Sequence, residues 1–251
     1  MKHLLCALAA CLLSSPLAHG DFSSLSDCRL SGWDTSRAKQ KHSLEIVERE
    51  DGCAARFEIR PDETKIHSGW RSEIKDRNPL QAGATIRYKF ETYLPSELQK
   101  AGTNRLVLAQ WHDKKDRGRA AQRPPLTLRL DKGKLIFVLF NQRILDEMGA
   151  DSKGITIAAA PANWNKWASI EVRARWEASD FGLIDIYVNG KFIRRFKGPT
   201  TYPGDRFAPY FKLGIYTVHG FKGSAHVLHR KVSRRIYNYG PESVREYGSR
   251  K

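Results

Sequence analysis

ATIRYKFETYL, residues 84–94, decides the fold. Ile86, Tyr88 and Phe90 share one parity; Arg87, Lys89 and Glu91 take the other. A period of two with an apolar and a charged side describes a half-buried β-strand and excludes an amphipathic helix. SIEVRARW, residues 169–176, repeats the pattern, with Ile170, Val172, Ala174 and Trp176 against Glu171, Arg173 and Arg175. Working outward, alternating or β-branched runs place further strands at 44–49, 55–60, 104–112, 126–130, 134–140, 183–188, 192–196, 210–218 and 225–229. Turn residues fall between them: Asp51-Gly52, Asp131-Lys132-Gly133-Lys134 and Asn189-Gly190. The Asn-Gly pair between IDIYV and KFIRRF is a strong hairpin signal, because both central residues of a type I′ turn need positive φ. Helix is confined to short pieces at 95–100 and 143–149. Many strands joined by short turns, with no Pro/Gly/Ser linker and no internal repeat, predict one all-β domain over 21–251. Its expected form is an antiparallel β-sandwich or jelly roll. The basic stretch DKKDRGRAAQR (113–123) reads as a mobile loop, and the basic, Tyr-bearing segment 233–251 as a loosely held tail.

Composition supports a packed domain. Of 251 residues, 41% are hydrophobic and 28% charged, which excludes a fully disordered chain. Lys plus Arg number 43 against 27 Asp plus Glu, a net charge of +16. Such an excess points to a polyanionic partner: nucleic acid, an anionic membrane or an acidic polysaccharide.

The N-terminus narrows that choice. Met1-Lys2-His3 precedes an apolar run, and Ala18-His19-Gly20 puts small residues at −3 and −1 before Asp21. This is the pattern of a secretory signal over 1–20, and the run is shorter than the ~20 residues a spanning helix needs. A secreted or periplasmic protein is expected, with no membrane span. Export argues against nucleic acid as the partner. Cys6 and Cys11 leave with the signal, and Cys28 and Cys53 remain. An even pair in an oxidising compartment predicts one disulfide pinning the N-terminal arm to the first strands, with two free thiols as the alternative. No CxxC, HExxH or Cys/His cluster is present, so no metal site is assigned.

Three blocks carry polar chemistry on strand faces. In Trp70-Arg71-Ser72-Glu73-Ile74-Lys75, Arg71, Glu73 and Lys75 share a face. Arg71 can clamp a carboxylate and Glu73 can hold its guanidinium, though a salt-bridged wet strand would look the same. In Gln110-Trp111-His112 the amide and imidazole point one way and Trp111 the other, which places a candidate general base beside an amide. In Tyr210-Phe211-Lys212-Leu213-Gly214-Ile215-Tyr216, Tyr210, Lys212 and Tyr216 share a polar face, and Gly214 leaves an expected gap for a ligand. No ExDxxE strand motif supplies the paired acids of a glycoside hydrolase, and the lone Asp185 reads as structural.

Taken together, HSGWRSEI, QWH, PPLTLRLDKGKLIF, W-SIEVRARW-IDIYVNGKFI and YFKLGIY resemble the heparin lyase I-like polysaccharide lyases. The Arg-Ser-Glu, Gln-x-His and Tyr-Phe-Lys-x-Gly-x-Tyr triplet is also similar to that of jelly-roll alginate lyases. The resemblance runs from about His67 to Tyr216. It implies a jelly roll whose concave face binds an acidic, uronate-containing polysaccharide and cleaves it by β-elimination. Arg71, Gln110, His112 and Tyr216 match the cleft residues of those families. Lys212, Tyr210 and Glu73, with Arg117, Arg119 and Arg123 from the loop, are the expected substrate-binding residues. Thr217-Val218 stands where the alginate pattern commonly has Asn-Gln. No cofactor is implied; some relatives use structural calcium, but no calcium loop is legible. The chain is expected to act as a monomer. The same face without a competent acid and base would make a binding module. A protein that binds anionic surfaces by charge alone would not bring the three blocks together.

Overall fold

The computed structural model describes residues 28–76, 80–102, 105–114, 122–149 and 152–236. The expected export signal (1–20), Arg117 and Arg119, and tail residues 237–251 lie outside the described residues.

The described chain opens with β1 (Trp33–Asp34), β2 (Leu44–Arg49), β3 (Gly52–Ile59), β4 (Trp70–Asp76) and β5 (Thr85–Tyr93). A single helical turn, α1 (Glu97–Lys100), leads to β6 (Leu106–His112), β7 (Leu126–Asp131) and β8 (Lys134–Leu139). After α2 (Gln142–Met148) come β9 (Ile155–Pro161), β10 (Trp167–Arg175), β11 (Leu183–Val188), β12 (Lys191–Lys197), β13 (Tyr210–Thr217) and β14 (Ala225–Ile236). They form two antiparallel seven-stranded sheets, ordered β1-β4-β13-β6-β7-β8-β9 and β12-β11-β10-β5-β14-β3-β2. This is the expected sandwich of jelly-roll type.

The two sequence stretches that fixed the fold class are neighbours. β5 and β10 pair over nine residues, from Trp167 opposite Tyr93 to Arg175 opposite Thr85. Their apolar parities, Ile86, Tyr88 and Phe90 with Ile170, Val172 and Ala174, are buried between the sheets. Facing them across the core are Trp111 and Phe211. The Tyr88 and Trp111 rings lie 5.5 Å apart, those of Trp111 and Phe211 5.1 Å, and Trp176 Nε1 donates to the Tyr88 hydroxyl at 3.1 Å. Trp111 sits between Gln110 and His112, and Phe211 between Tyr210 and Lys212. Burying the middle residue of each triplet forces its flanking polar residues onto the opposite sheet face.

The β11–β12 hairpin turns at Asn189 (φ 52°) and Gly190 (φ 74°), as the Asn-Gly pair predicts. Asp185 is fully buried and held by Arg195 at 2.6 and 2.7 Å, a structural ion pair. Cys28 and Cys53 form the expected disulfide, with Cα atoms 5.3 Å apart, and it ties the N-terminal arm to β3.

Two expectations need correction. Ser233–Ile236, read as the start of a loose tail, belong to β14 and pair with β5 from Lys89 to Ile86. Their basic sequence shows no apolar alternation; a shift in register between Arg230 and Ser233, with Lys231 at φ 50°, carries the strand past a bulge. β9 (ITIAAAP) is a strand that the alternating runs do not predict. It pairs with β8 alone at the end of its sheet, and its small residues carry little side-chain pattern.

Candidate active site

All three polar blocks lie on adjacent strands of one sheet. β13 is central, with β4 on one side and β6 on the other. Tyr210 stands opposite His112, Lys212 opposite Gln110, Gly214 opposite Glu73, and Tyr216 opposite Arg71. Phe211, Leu213 and Ile215 of the alternate parity are in the core. The polar parity faces away from the core, yet Arg71, Glu73, Gln110 and Lys212 are all buried. They form the floor of a cleft. Beside Arg71 it opens into a cavity of about 280 Å³ bounded by the arm at 39–43 and the segment 63–67.

Glu73 is the hub of that floor. It accepts from Arg71 Nη1 at 3.3 Å, from Lys212 Nζ at 3.4 Å and from Gln110 Nε2. Buried charges persist where they are paired and hydrogen-bonded. Here one carboxylate faces two cations, so the cluster holds a surplus positive charge. Burial lowers the Lys212 pKa while Glu73 opposes the shift. Arg71 Nε is buried and has no hydrogen-bond partner among the described residues. The floor therefore carries spare positive charge and one buried donor that is not used within it.

His112 lies at one end of this cluster. Its ring stacks on Tyr210 with centroids 5.2 Å apart and planes 20° apart, and Nδ1 lies 3.0 Å from the Asp113 carbonyl. A carbonyl only accepts, so Nδ1 carries the hydrogen and Nε2 keeps its lone pair. Burial, and then the Lys212 charge, pull the imidazole down to about 4, so it is neutral near pH 7. Burial, and then Glu73, push the Tyr210 hydroxyl up to about 12. At the other end, the Arg71 guanidinium carbon lies 4.1 Å from the centre of the Tyr216 ring. Burial raises the Tyr216 pKa and Arg71 opposes the rise, so the phenol keeps its proton. His112 and Tyr216 therefore flank one charge cluster, and both sense Arg71 and Glu73.

The expected gap at Gly214 is not there. A Cβ at this position would lie 2.2 Å from the Ser72 carbonyl oxygen and 2.8 Å from Glu73 Cα, with Phe57 behind. The space belongs to β4. With φ at 146°, Gly214 allows β13 to approach β4 closely enough to seat Glu73 among its donors. Its carbonyl lies 3.1 Å from Nε2 of the buried His229 in the opposing sheet. Arg123, expected at an outer subsite, donates to the Ser152 carbonyl and lies 5.4 Å from the centre of the Phe140 ring.

His67 is not among the site residues expected from sequence, yet it stands beside Arg71. Its carbonyl accepts from Arg71 Nη2 at 3.4 Å, and it forms with Ser68 a two-residue turn in which both have positive φ, 47° and 66°. The nearby Arg37, then burial, and then Arg71, Lys39 and Lys212 lower its pKa, which reports the positive potential of the cleft wall. The HSG before Trp70 was the available signal. Among the described residues, no group of three or more His, Cys, Asp or Glu is placed to hold a metal ion, and no helix is long and apolar enough to cross a membrane.

The structure is thus a two-sheet sandwich with a cation-floored cleft that carries a neutral imidazole and a phenol. More narrowly, the chain belongs to the polysaccharide lyase family, whose model matches residues 18–237. It is an enzyme, a polysaccharide lyase, and not a non-catalytic binding module. A comparison with curated proteins finds no match. Among solved structures it is similar to an endo-β-1,4-glucuronan lyase from the fungus Trichoderma reesei. That match has a TM-score of 0.68 at 17% identity over 84% of this chain and 94% of that one. It is also similar to the family 7 alginate lyase A1-II′, with a TM-score of 0.58 at 17% identity over 80% and 84% of the chains. That lyase was crystallised with bound substrate as a variant with a histidine changed to asparagine and a tyrosine to phenylalanine. The alginate lyase AlyC3, in complex with dimannuronate, gives a TM-score of 0.54 at 13% identity over 74% and 76%. These matches bear out the resemblance to jelly-roll polysaccharide lyases, without singling out the heparin lyase I-like kind.

Proposed function

We propose that this enzyme is exported and cleaves a uronate-containing polysaccharide by β-elimination, with the cluster on Glu73 as its carboxylate-binding floor. The observation that carries the reading is the surplus charge of that cluster: two buried cations and an amide share one carboxylate, flanked by an unprotonated imidazole nitrogen and a protonated phenol. The proton at C5 of a uronate is hardly acidic while the neighbouring carboxylate keeps its full charge. Arg71 and Gln110 take that carboxylate and stabilise the enolate-like charge that develops as the proton leaves, as an oxyanion hole does. Lys212 adds positive charge from the floor. Glu73 does not touch substrate; it holds the three donors in place.

His112 Nε2 takes the C5 proton. The C4–O bond breaks as the C4–C5 double bond forms, and Tyr216 donates its phenolic proton to the departing oxygen. No water is consumed. The low pKa of His112 suits this order of events. The substrate carboxylate brings negative charge beside the ring and raises its basicity only once the polymer is bound. Tyr216, holding its proton, is placed as the acid. Export is supported by the signal pattern at 1–20 and by the Cys28–Cys53 disulfide, which belongs in an oxidising compartment. The basic surface suits a polyanion held at several subsites. Uronate polymers are the substrates named for the structural neighbours, so glucuronan and alginate head the panel to test.

The test is ultraviolet absorbance of the unsaturated uronate product. Protein lacking residues 1–20 is incubated with glucuronan, alginate, heparin, heparan sulfate, hyaluronan and pectate, beside a His112→Ala/Tyr216→Phe variant. A rise on one polymer that the variant abolishes is the expected result. A rise that survives in the variant removes His112 and Tyr216 from the chemistry; no rise on any polymer overturns the proposed cleavage, and no binding to any of them overturns the uronate reading as well.

A further inference from the structure

Arg129 lies in the same row of the cleft sheet as the active site. On β7 it stands opposite Val107 of β6; Val107 stands opposite Tyr216 of β13; Tyr216 stands opposite Arg71 of β4. Arg71, Tyr216, Val107 and Arg129 thus cross four adjacent strands in one line, nearly perpendicular to the chain direction. Strands lie about 4.8 Å apart, so Arg129 sits about 10 Å beyond Tyr216, on the side away from Arg71. Its neighbours Leu128 and Leu130 are in the core, which turns Arg129 to the cleft face.

The side chain is well covered, yet among the described residues no carboxylate pairs with it. Its Nε donates to the Thr127 hydroxyl at 2.9 Å, and its guanidinium carbon lies 5.6 Å from the centre of the Phe140 ring. The nearby Asp131 is in contact with Arg105 at 3.6 Å. Burial is the first cause that lowers the Arg129 pKa, followed by repulsion from Arg105, while Asp131 opposes and Arg123 adds to the lowering. A covered guanidinium without a counter-ion costs stability unless a ligand supplies one. Arginine is also the side chain best shaped to receive a carboxylate through two parallel N–H donors.

We infer that Arg129 binds the carboxylate of a second uronate, one lying on the Tyr216 side of the cleaved bond, so that the polymer crosses the strands along the Arg71–Tyr216–Arg129 row. The inference rests on the proposed uronate lyase reading and adds a second point of carboxylate recognition to it. A polymer with one carboxylate per sugar meets the row with anions at intervals, and the two arginines fix its register over Tyr216. Arg129 thereby becomes a residue that distinguishes polyuronate from a chain with isolated acid groups.

The experiment compares wild type, Arg129→Gln and Arg129→Lys, each also carrying Tyr216→Phe to prevent cleavage. Calorimetric titrations use four-unit oligoglucuronate and oligomannuronate, and thermal melts are recorded without ligand. Arg129→Gln is expected to weaken oligomer binding about tenfold or more, the scale of one lost charge-assisted hydrogen bond. Arg129→Lys recovers part of the loss. Without ligand, Arg129→Gln melts no lower than its parent, because it removes a covered, unpaired charge. A structural arginine would give the opposite melt. Unchanged oligomer affinity in Arg129→Gln, or a lowered melting temperature, overturns the inference alone. Wild-type protein that neither binds nor cleaves any uronate chain overturns the proposed function with it, and binding without cleavage sinks only the catalytic roles.

Discussion

Replacing Glu73 by Gln removes one negative charge from beneath two buried cations and changes almost nothing in shape. Glu73 is 3% exposed, with Arg71 at 3.3 Å and Lys212 at 3.4 Å. At an effective dielectric near 20, each contact is worth about 5 kcal/mol of direct attraction, most of it offset by the desolvation of the ions. Losing the shared partner leaves Arg71 and Lys212 uncompensated, and breaking a buried pair in this way costs about 3–5 kcal/mol. For a domain of this size the melting temperature should fall by roughly 10 °C. Arg71 and Gln110 also lose their common anchor, and misplacement by about 1 Å is enough to cut the rate roughly 100-fold. Differential scanning calorimetry and initial rates on the cleaved polymer read both effects. Lys212→Met in the Glu73→Gln background should return part of the lost stability, because it removes one of the stranded cations, and the double-mutant cycle measures that coupling. A Glu73→Gln protein that melts within about 2 °C of wild type and keeps its kcat/KM would show that the three donors do not depend on Glu73.

Three further outcomes follow from the same structure. Burial holds His229 down to about 4 against about 6.5 in an unfolded chain, so the folded state binds fewer protons between those values. Its contribution, about 3 kcal/mol, is complete above pH 6.5 and is lost as pH falls toward 4; urea midpoints measured across that window should decline less steeply in His229→Gln, and an unchanged slope would exclude this histidine. Gly214→Ala places a methyl 2.2 Å from the Ser72 carbonyl at a φ of 146°. It should cost about 2–5 kcal/mol and most of the activity, whereas a soluble variant of wild-type stability would mean that β13 and β4 can move apart freely. Cys28→Ser/Cys53→Ser opens a loop with a sequence separation of 25. It should lower stability by about 3 kcal/mol in thermal melts, and no change would mean that the arm is held without the bridge.

The sequence determined whatever has a local period. Alternation in 84–94 and 169–176 required strands with one buried face, Asn189-Gly190 required its hairpin, and the parity of QWH and YFKLGIY put Gln110, His112, Tyr210, Lys212 and Tyr216 on the outward side. Two cysteines behind an expected export signal were enough to expect their bridge. Tertiary structure decided what depends on which strands become neighbours and in what register. Lys212 reaches Glu73 across 139 residues of sequence and Gln110 across 37. No periodicity encodes that meeting, so Glu73 could be read as a holder of Arg71 but not as the hub of three donors. The glycine at 214 was legible as a special position; only the close approach of β4 showed that it admits a backbone and not a sugar. Arg129 was one charged residue on a strand until register placed it in line with Arg71 and Tyr216, and only packing revealed that its charge is covered and has no carboxylate partner among the described residues. A strand's face is written in its own residues, whereas the chemistry of a cleft floor arises from side chains that the sheet's pairing order brings together.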